Sequence, residues 1–471
     1  MGATRELADF AAGTRLETLP PELVERARFL VLDLIGNIVR ARAEAESTPA
    51  LMAGIRALGL GAGNAVVFGD AARYAPAGAV LANAALGHSL DFDDTHAAGS
   101  LHPGVTAISA ALAAGEMTGA SGADVMAGIV AGYEVACRLA LALPAGEHYA
   151  RGFHPTATCG AFGAAAAAAR VFGLPGPAIE SAFGIALSQT AGSLEFLVNG
   201  AWTKRFQVGW SAMNGLAAAT FARGGFKGAA EAFEGPHGFL HAYAPSPAPE
   251  RAIEQLGKKF ELMATAVKPY PSCRFGHAGI DAALALGAEH GLRAEEIEAV
   301  TLGLSKAGMT LIGEPAEKKA NPENVVDGQF SGPFVLAVAL ATGGMGWDSY
   351  RLLGNPAVRR LLPLVRCEED PEIEAEFPAN MAARVKIRAR GRSFEKLVRV
   401  PKGEPSNFLG ETELCAKFAS LAEPVLGAEQ TAALADAALN IAGLGNIAAL
   451  MRKGMPLAPA RLAGEQAARF G

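Results

Sequence analysis

The stretch "GAFGAAAAAARVFGL", residues 160–174, decides the fold class of this chain. It is apolar most of the way round a helix, so a helix formed here has to be covered on every side. Similar segments, cut by glycine and proline, continue to about residue 265, for example "GVTAISAALAAGEMTG" and "GADVMAGIVAGYEVACRLALAL". Because glycine and alanine allow close approach of backbones, these segments predict a large domain of tightly packed helices.

The first long helix is predicted from "TLPPELVERARFLVLDLIGN", residues 18–37. Thr18 is the expected N-cap, Pro20 and Pro21 fall in the first turn, and the apolar residues that follow have helical spacing. This segment therefore predicts where the helical domain begins.

The pattern changes after about residue 268. Residues 297–305 and 383–391 alternate apolar and polar, as half-buried strands do, and "FEKLVRV" follows a predicted turn at Gly391-Arg392 as a further strand. Helical patterns resume at Glu411. The predicted fold class is therefore mainly α: a large all-helical domain built from both chain ends (1–267 and 408–471) and a smaller inserted α+β lid domain (268–407).

Length, charge and cysteine content restrict the function further. The chain has 471 residues, more than one core supports, and its net charge of −6 provides no positive field for nucleic acid. Five scattered cysteines without a CxxC pair predict a reduced, cytoplasmic chain without a zinc knuckle. The uncharged residues 328–347 contain glycine, proline, serine and glutamine, which favours a buried helix over a membrane span.

Titratable residues are concentrated in "GHSLDFDDTHAAGSLHPG", residues 87–104, inside an otherwise apolar neighbourhood. An imidazole beside carboxylates suits proton transfer near neutral pH. Asp93 and Asp94, taken separately, are explained equally well as partners of a helix N-terminus. The stretch holds the side chains Asp91, Asp93, Asp94, His88, His96 and His102.

Three further clusters hold cations and imidazoles in turns rich in glycine, proline and aromatic residues. They are "RGFHPTATCG" (151–160), "NGAWTKRFQVGWSAMNG" (199–215) and "VKPYPSCRFGH" (267–277). Such cations suit an anionic ligand with several carboxylates. No glycine-rich phosphate loop is present, so the chain predicts no nucleotide cofactor. Cys273 is interpreted as a small buried hydrophobic residue rather than a nucleophile.

In these clusters the sequence resembles the MmgE/PrpD family, which includes 2-methylcitrate dehydratase, cis-aconitate decarboxylase and iminodisuccinate epimerase. The resemblance runs nearly end to end, through "HSLDFDDTH…HPG", "GFHPTATCGAFGAAAAAARVFGL", "GSLEFLVNGAWTKRFQVGWSAMNG" and "KPYPSCRFGHAGIDAAL". It implies the helical and lid domains, a homodimer, no metal and no organic cofactor. It also implies a pocket lined by Asp91, Thr95, His102, His154, Lys204 and Lys268.

The resemblance implies a cofactor-independent lyase, most similar to a hydro-lyase such as 2-methylcitrate dehydratase, for a small di- or tricarboxylate. The cations would stabilise a carbanion or enolate beside a carboxylate. In this hypothesis His102 moves the proton at carbon, and Asp91 orients the His102 ring or balances its charge. Thr95 forms a hydrogen bond with the substrate or with the aspartate. Predicted substrate contacts are Lys204, Lys268, His154, Arg205, Ser272, His277 and Phe334.

Several alternatives remain open at this point. An isomerase, epimerase or decarboxylase of a related polycarboxylate would use the same pocket. Phe334 stands where cis-aconitate decarboxylases carry a pocket tyrosine, which argues against that particular decarboxylation. A Mg²⁺-dependent diphosphate enzyme using the aspartates of "DFDDTH", and a non-catalytic carboxylate-binding protein, are the more distant alternatives.

Overall fold

The computed structural model describes residues 2–457. The protein is mainly helical, with 61 % helix and 8 % strand, which confirms the predicted dominance of helices. The chain divides into two compact units. Among the described residues, the first comprises 2–266 and 410–457, and the second comprises Val267–Leu409.

The helices of the described residues are numbered in chain order. They are α1 (Ala3–Gly13), α2 (Pro21–Glu44), α3 (Thr48–Ala57), α4 (Pro76–Gly87), α5 (Gly104–Thr118), α6 (Gly122–Ala142), α7 (Ala145–Ala150), α8 (Pro155–Val171), α9 (Gly176–Leu187), α10 (Phe196–Asn199), α11 (Thr203–Arg223), α12 (Phe239–Tyr243), α13 (His277–His290), α14 (Lys306–Gly308), α15 (Ala316–Lys319), α16 (Val325–Gln329), α17 (Gly332–Thr342), α18 (Pro356–Leu361), α19 (Pro371–Glu376), α20 (Glu411–Leu426), α21 (Ala428–Leu439) and α22 (Ala448–Lys453).

The strands form three small sheets in the described part of the chain. They are β1 (Ala65–Val66), β2 (Arg73–Tyr74), β3 (Thr95–His96), β4 (Thr265–Ala266), β5 (Ile297–Leu304), β6 (Val365–Glu369), β7 (Ala383–Ala389) and β8 (Arg392–Val398). β1 pairs with β2 and β3 with β4, both antiparallel, while the second unit holds a four-stranded sheet in the order β6-β5-β7-β8.

Helix α8 is the centre of the first unit, and all of its residues are buried. It packs on α5, α6 and α11. A methyl group added at Gly163 of α8 would lie 2.8 Å from the Gly132 carbonyl oxygen of α6, and one added at Gly132 would lie 2.9 Å from the Gly163 oxygen. The two backbones therefore meet directly, which explains why the sequence here is alanine and glycine.

The start of α2 differs from the prediction at Thr18. The helix begins at Pro21, and Pro20 has extended geometry in the N-cap position. Thr18 instead ends a separate 3₁₀ turn, where its hydroxyl donates to the Arg15 carbonyl. Proline disfavours helical geometry in the residue before it, so the Pro20-Pro21 pair moves the helix start past Thr18.

The second unit contains the predicted strands and a pairing that the sequence did not predict. Burial alternates along β7, as the period-2 pattern indicated, and β8 returns antiparallel beside it. Ala389 pairs with Arg392, so the turn residues are Arg390 and Gly391, both with positive φ, one position earlier than predicted. β6 runs parallel to β5, a pairing of segments about 60 residues apart.

One helix within residues 2–457, α6, is long and apolar enough to cross a bilayer. In its most apolar window 94 % of the residues are buried inside the protein, as in an interior helix. The uncharged stretch 328–347 contains α17, which is 11 residues long and largely buried, as predicted.

Candidate active site

The loop between α4 and α5, residues 88–103, carries the acids and imidazoles of the first cluster. α4 ends at Gly87 with His88 as its C-cap, and α5 begins at Gly104 directly after Pro103. The α8 N-cap, His154, and the first turn of α11, with Lys204, belong to the same unit and face this cluster. Four helix termini therefore position one set of polar side chains.

Asp93 lies between two imidazole rings. Its Oδ2 atom is 2.7 Å from Nδ1 of His88 and 3.2 Å from Nδ1 of His102. Burial opposes the carboxylate charge, but the two rings hold the pKa of Asp93 well below its usual value. Asp93 is thus the ionised acid at the centre of the cluster and the carboxylate next to His102, the position that the sequence analysis assigned to Asp91.

His88 is fully buried, and burial lowers its pKa to about 4. The ring is therefore neutral at pH 7, and its Nδ1–H donates to Asp93. Its Nε2 atom is buried and has no hydrogen-bond partner among the described residues. His88 thus leaves a basic ring nitrogen available beside His102, whose ring lies edge-on at a centroid distance of 4.7 Å.

His102 is the more accessible of the two rings that contact Asp93, with 15 % of its side chain exposed against 0 % for His88. Its backbone N–H donates to the Thr156 hydroxyl in the first turn of α8. An imidazole oriented through Nδ1 by a carboxylate presents Nε2 to a ligand, the arrangement that general bases use.

Asp91 forms an ion pair with Lys204. Its Oδ1 atom accepts a hydrogen bond of 3.1 Å from the Lys204 ammonium. Burial opposes the lysine charge, but Asp91 and Asp93 together raise its pKa. Lys204 therefore stays cationic, and with 30 % of its side chain exposed it remains accessible to an anion.

The tautomer of His154 follows from the hydrogen bonds around Gln207. The Ser193 backbone N–H donates to Oε1 of Gln207, which turns the amide Nε2 toward His154 Nδ1 at 2.8 Å. Nδ1 is therefore the acceptor, and the ring proton is on Nε2. Burial first, and then the neighbouring His88 and Lys204, hold the pKa of His154 well below its usual value, so the ring is a neutral donor.

Asp94 differs from Asp93 in its surroundings, because its carboxyl group contacts Tyr133 and the Gly104 backbone instead of the imidazoles. Tyr133 donates to Asp94 Oδ2 at 2.6 Å, and the Gly104 N–H donates to Oδ1 at 3.2 Å. Burial outweighs both contacts and raises the pKa of Asp94 to about 8. Of two adjacent aspartates, one is therefore ionised and the other neutral at pH 7.

We expect the raised pKa of Asp94 to make the protein less stable as pH rises. The folded state holds this proton between pH 3.8 and about 8, whereas the unfolded chain has released it. Stability from Asp94 is thus complete below pH 3.8 and lost toward pH 8, at about 1.4 kcal/mol per pH unit.

The measurement compares unfolding temperatures of wild type and Asp94→Asn at pH 5 and pH 8. Glu134, whose pKa burial raises to about 7, acts in the same direction in both proteins, so the difference between them isolates Asp94. Identical pH dependence in the two proteins would contradict the assignment.

Comparison with known proteins identifies the family. Residues 5–252 match the MmgE/PrpD N-terminal domain and residues 270–441 match the MmgE/PrpD C-terminal domain, which together span most of the chain. The chain belongs to the MmgE/PrpD family. This confirms the resemblance drawn from the sequence motifs.

Curated MmgE/PrpD relatives share about a quarter of their residues with this chain. A cis-aconitate decarboxylase-like protein of Aspergillus oryzae is 26 % identical, covering 95 % of this chain and 96 % of its own length. A cis-aconitate decarboxylase of Aspergillus terreus is 25 % identical over 96 % and 95 %, and the Homo sapiens cis-aconitate decarboxylase is 26 % identical over 78 % and 77 %. These relatives are enzymes by name.

The remaining predicted residues of the first unit have separate environments. The Thr95 hydroxyl is buried and has no hydrogen-bond partner among the described residues, so it is available to a ligand. Arg205 extends toward α3, where its guanidinium donates to the Ser47 hydroxyl at 3.4 Å. A substrate contact by Arg205 stays a prediction.

Four predicted site residues lie in the second unit. Lys268 is buried and follows, two residues along the chain, the β4 residue Ala266 that pairs with Thr95. His277, the first residue of α13, approaches the Ser272 carbonyl with its Nε2 at 3.1 Å. Phe334 lies in the core of this unit, stacked on Tyr350. Their contacts with substrate, including that of Ser272, stay predictions.

The set His88, Asp93 and His102 also has the spacing of a metal site, since one ligand atom from each lies within 4.8 Å of the others. Two imidazoles and one carboxylate suit a transition metal better than Mg²⁺, which prefers oxygen ligands. The aspartates of "DFDDTH" contact three different groups: Lys204, the two imidazoles, and Tyr133. They do not form the shared cluster that the Mg²⁺-diphosphate alternative requires.

Three residues of the site were given no role from the sequence: His88 and Asp93, which belong to the titratable stretch 87–104, and Gln207, which was not recognised. The pairing of His88 with Asp93, five residues apart, depends on the loop path after α4. Gln207 lies three residues after Lys204, on the same face of α11, and this helical spacing was the available signal.

Proposed function

We propose that this protein is a cofactor-independent lyase that acts on a small di- or tricarboxylate through a carbanion- or enolate-type intermediate. The observation that carries the proposal is the His102–Asp93 pair beside the Lys204 ammonium and the His154 N–H donor. The pair provides a proton acceptor, while the cation and the neutral donor provide sites for carboxylate oxygens.

The electrostatic arrangement suits charge that develops at carbon. Forming a carbanion next to a carboxylate places negative charge on the carboxylate oxygens, and donors fixed in advance stabilise it. In our proposal Lys204 and His154 bind one carboxylate, and Thr95 donates or accepts a further hydrogen bond. We assign Lys268 as a second cation that binds the substrate. The buried walls of α4, α5 and α8 exclude water and strengthen these interactions.

His102 carries the proton in each reaction that this arrangement permits. In dehydration it takes a proton from carbon, and the electron pair expels hydroxide, which leaves as water after protonation. In decarboxylation the carbon–carbon bond breaks, CO₂ leaves, and a His102 imidazolium that was protonated from solvent before this step gives its proton to the carbanion. The imidazolium that forms on His102 is balanced by Asp93.

Dehydration was preferred from the sequence, and it remains our first assignment. The names of the relatives in Aspergillus and Homo sapiens favour decarboxylation as the second. Inversion at carbon needs a second base on the opposite face of the substrate.

The proposal also includes three features of the whole protein: a lid role for the second unit, a cytoplasmic location and a homodimer. An exposed aromatic row along α11, Trp202, Phe206 and Trp210, supports self-association.

The decisive experiment incubates the protein with a panel of tricarboxylates and hydroxy-dicarboxylates in D₂O and follows them by NMR. A decarboxylase releases CO₂ and leaves one solvent deuteron at the carbon that lost it. A dehydratase gives the unsaturated acid, and an epimerase gives the inverted centre with deuterium. We expect one substrate to react, with activity unchanged by a chelator.

Lys204→Met is expected to weaken binding of that carboxylate about tenfold or more, because a charge-assisted hydrogen bond is lost. Arg223→Met is the matched control, since it removes an exposed cation from the last turn of the same helix, away from the predicted site residues. Carboxylate binding by calorimetry without deuterium exchange in any substrate would favour a non-catalytic binding protein. Loss of activity in a chelator would favour a metal at His88, Asp93 and His102.

A further inference from the structure

A buried ion pair contacts the site loop at Phe92. Lys417 of α20 places its ammonium 2.6 Å from Asp33 Oδ1 of α2, and both side chains are more than nine-tenths buried. The same ammonium donates to the Phe92 carbonyl oxygen at 2.9 Å and lies 3.7 Å from the centre of the Phe92 ring. None of these groups has a role in the proposed chemistry.

A second donor reaches the same carbonyl oxygen. The Asn37 amide donates to the Phe92 oxygen at 3.2 Å and to the Asp33 carbonyl at 3.0 Å. Asn37 is completely buried. Two side chains from two helices therefore hold one loop carbonyl, which fixes the orientation of the peptide between Phe92 and Asp93.

Phe92 separates the two carboxylates of the site. Asp91, before it, pairs with Lys204, and Asp93, after it, contacts both imidazoles. Asp91 has a φ of 53°, in the left-handed region that non-glycine residues avoid unless their surroundings hold them there. A rotation at Phe92 would turn the neighbouring carboxylates away from their partners.

Stability alone does not explain a buried ion pair. Taking two charges out of water is unfavourable, and well-packed apolar side chains of similar volume often serve as well. A buried pair is better explained when it specifies a geometry, and here its cation donates to the loop backbone between the two site carboxylates.

We propose that Lys417 is a positioning residue of the active site, which, through Phe92, sets where the carboxylates of Asp91 and Asp93 lie. This inference rests on the proposed function for its effect on turnover. Its structural part, the arrangement of Asp93 between His88 and His102, does not depend on any substrate.

The test compares Lys417→Met, which keeps the length of the side chain and removes the charge, with Lys417→Arg and with Arg42→Met. Arg42 lies on the same helix as Asp33 and forms a partly buried pair with Asp70 at 2.7 Å, away from Phe92. Arg42→Met therefore removes the cation of an ion pair that involves α2 but makes no contact with Phe92. It controls for the loss of a partly buried ion pair as such. Asn37→Ala removes the second donor and leaves the ion pair in place.

Two readouts separate positioning from a merely structural role. We expect Lys417→Met to lower kcat about 10- to 100-fold with a smaller change in KM, as a small misplacement of catalytic groups does. We also expect altered ¹⁵N shifts of the His88 and His102 rings, measured with labelled histidine in the absence of substrate. Lys417→Arg should recover most of kcat, and Arg42→Met should lower the unfolding temperature without changing kcat or these shifts.

The proposal is overturned if Lys417→Met keeps wild-type kcat and wild-type imidazole shifts while its unfolding temperature falls as in Arg42→Met. If Lys417→Met does not fold, Asn37→Ala decides by the same two readouts. If no carboxylate reacts with the wild-type protein, the proposed function fails, and the imidazole shifts alone still support or refute the positioning role.

Discussion

His102→Ala is expected to lower turnover of the substrate by about two to four orders of magnitude, the range that general acid–base groups contribute. The variant keeps Asp93, Lys204 and His154, so the substrate should still bind. Solvent deuterium exchange at carbon should fall together with turnover, because both steps need the same proton acceptor. The measurement is kcat and deuterium incorporation on the substrate found by the panel.

The control for this variant is His237→Ala, which removes an exposed imidazole of the same unit. It should behave as wild type in both assays. Near-normal turnover by His102→Ala would show that another group moves the proton. His88 would then be the first candidate, because its Nε2 is buried and unpartnered among the described residues.

The second large effect is expected for Asp93→Asn. Asp93 Oδ2 accepts a hydrogen bond from His88 and lies 3.2 Å from Nδ1 of His102, so its charge balances the imidazolium that forms on His102. An asparagine keeps the volume but loses the charge, and its NH₂ group can face one of the rings. We expect kcat to fall by roughly 10²- to 10⁴-fold, as when the carboxylate partner of a catalytic histidine is neutralised.

Asp94→Asn is the matched control, because it changes the adjacent buried carboxyl in the same way. The Asp94 carboxyl is already neutral at pH 7, since burial raises its pKa to about 8. The substitution therefore changes no charge in the site, and kcat should stay close to wild type. Equal losses in the two variants would indicate general damage to the loop rather than a specific role of the Asp93 charge.

The helical class could be predicted because burial all round a helix requires a recognisable composition. Residues 160–174 had that composition, and α8 is buried throughout. The strands of the second unit were predicted from local alternation, and β7 shows it. The β5–β6 pairing could not be predicted, because the two strands are far apart in the sequence. The alternation of residues within one strand does not indicate which other strand pairs with it.

The types of side chain in the site were predicted from the sequence, but the partner of each carboxylate was not. Motif resemblance selected Asp91, His102, His154 and Lys204, which the structure places in one unit. Which carboxylate meets which partner depends on backbone dihedrals, above all the positive φ of Asp91, which no residue pattern specifies. For this reason the residue pattern pointed to Asp91 as the partner of His102 and did not identify Asp93, which lies 3.2 Å from the His102 ring.

The first unit is made from both ends of the chain, and this affects how the protein is synthesised. Residues 88–103 and every histidine leave the ribosome well before α20 exists, since all nine histidines precede residue 291. At typical translation rates, roughly 8 to 30 seconds separate residue 266 from residue 417. Until then the Phe92 carbonyl is held by Asn37 alone, so a nascent or prematurely terminated chain contains the catalytic side chains without the ammonium group that completes their arrangement.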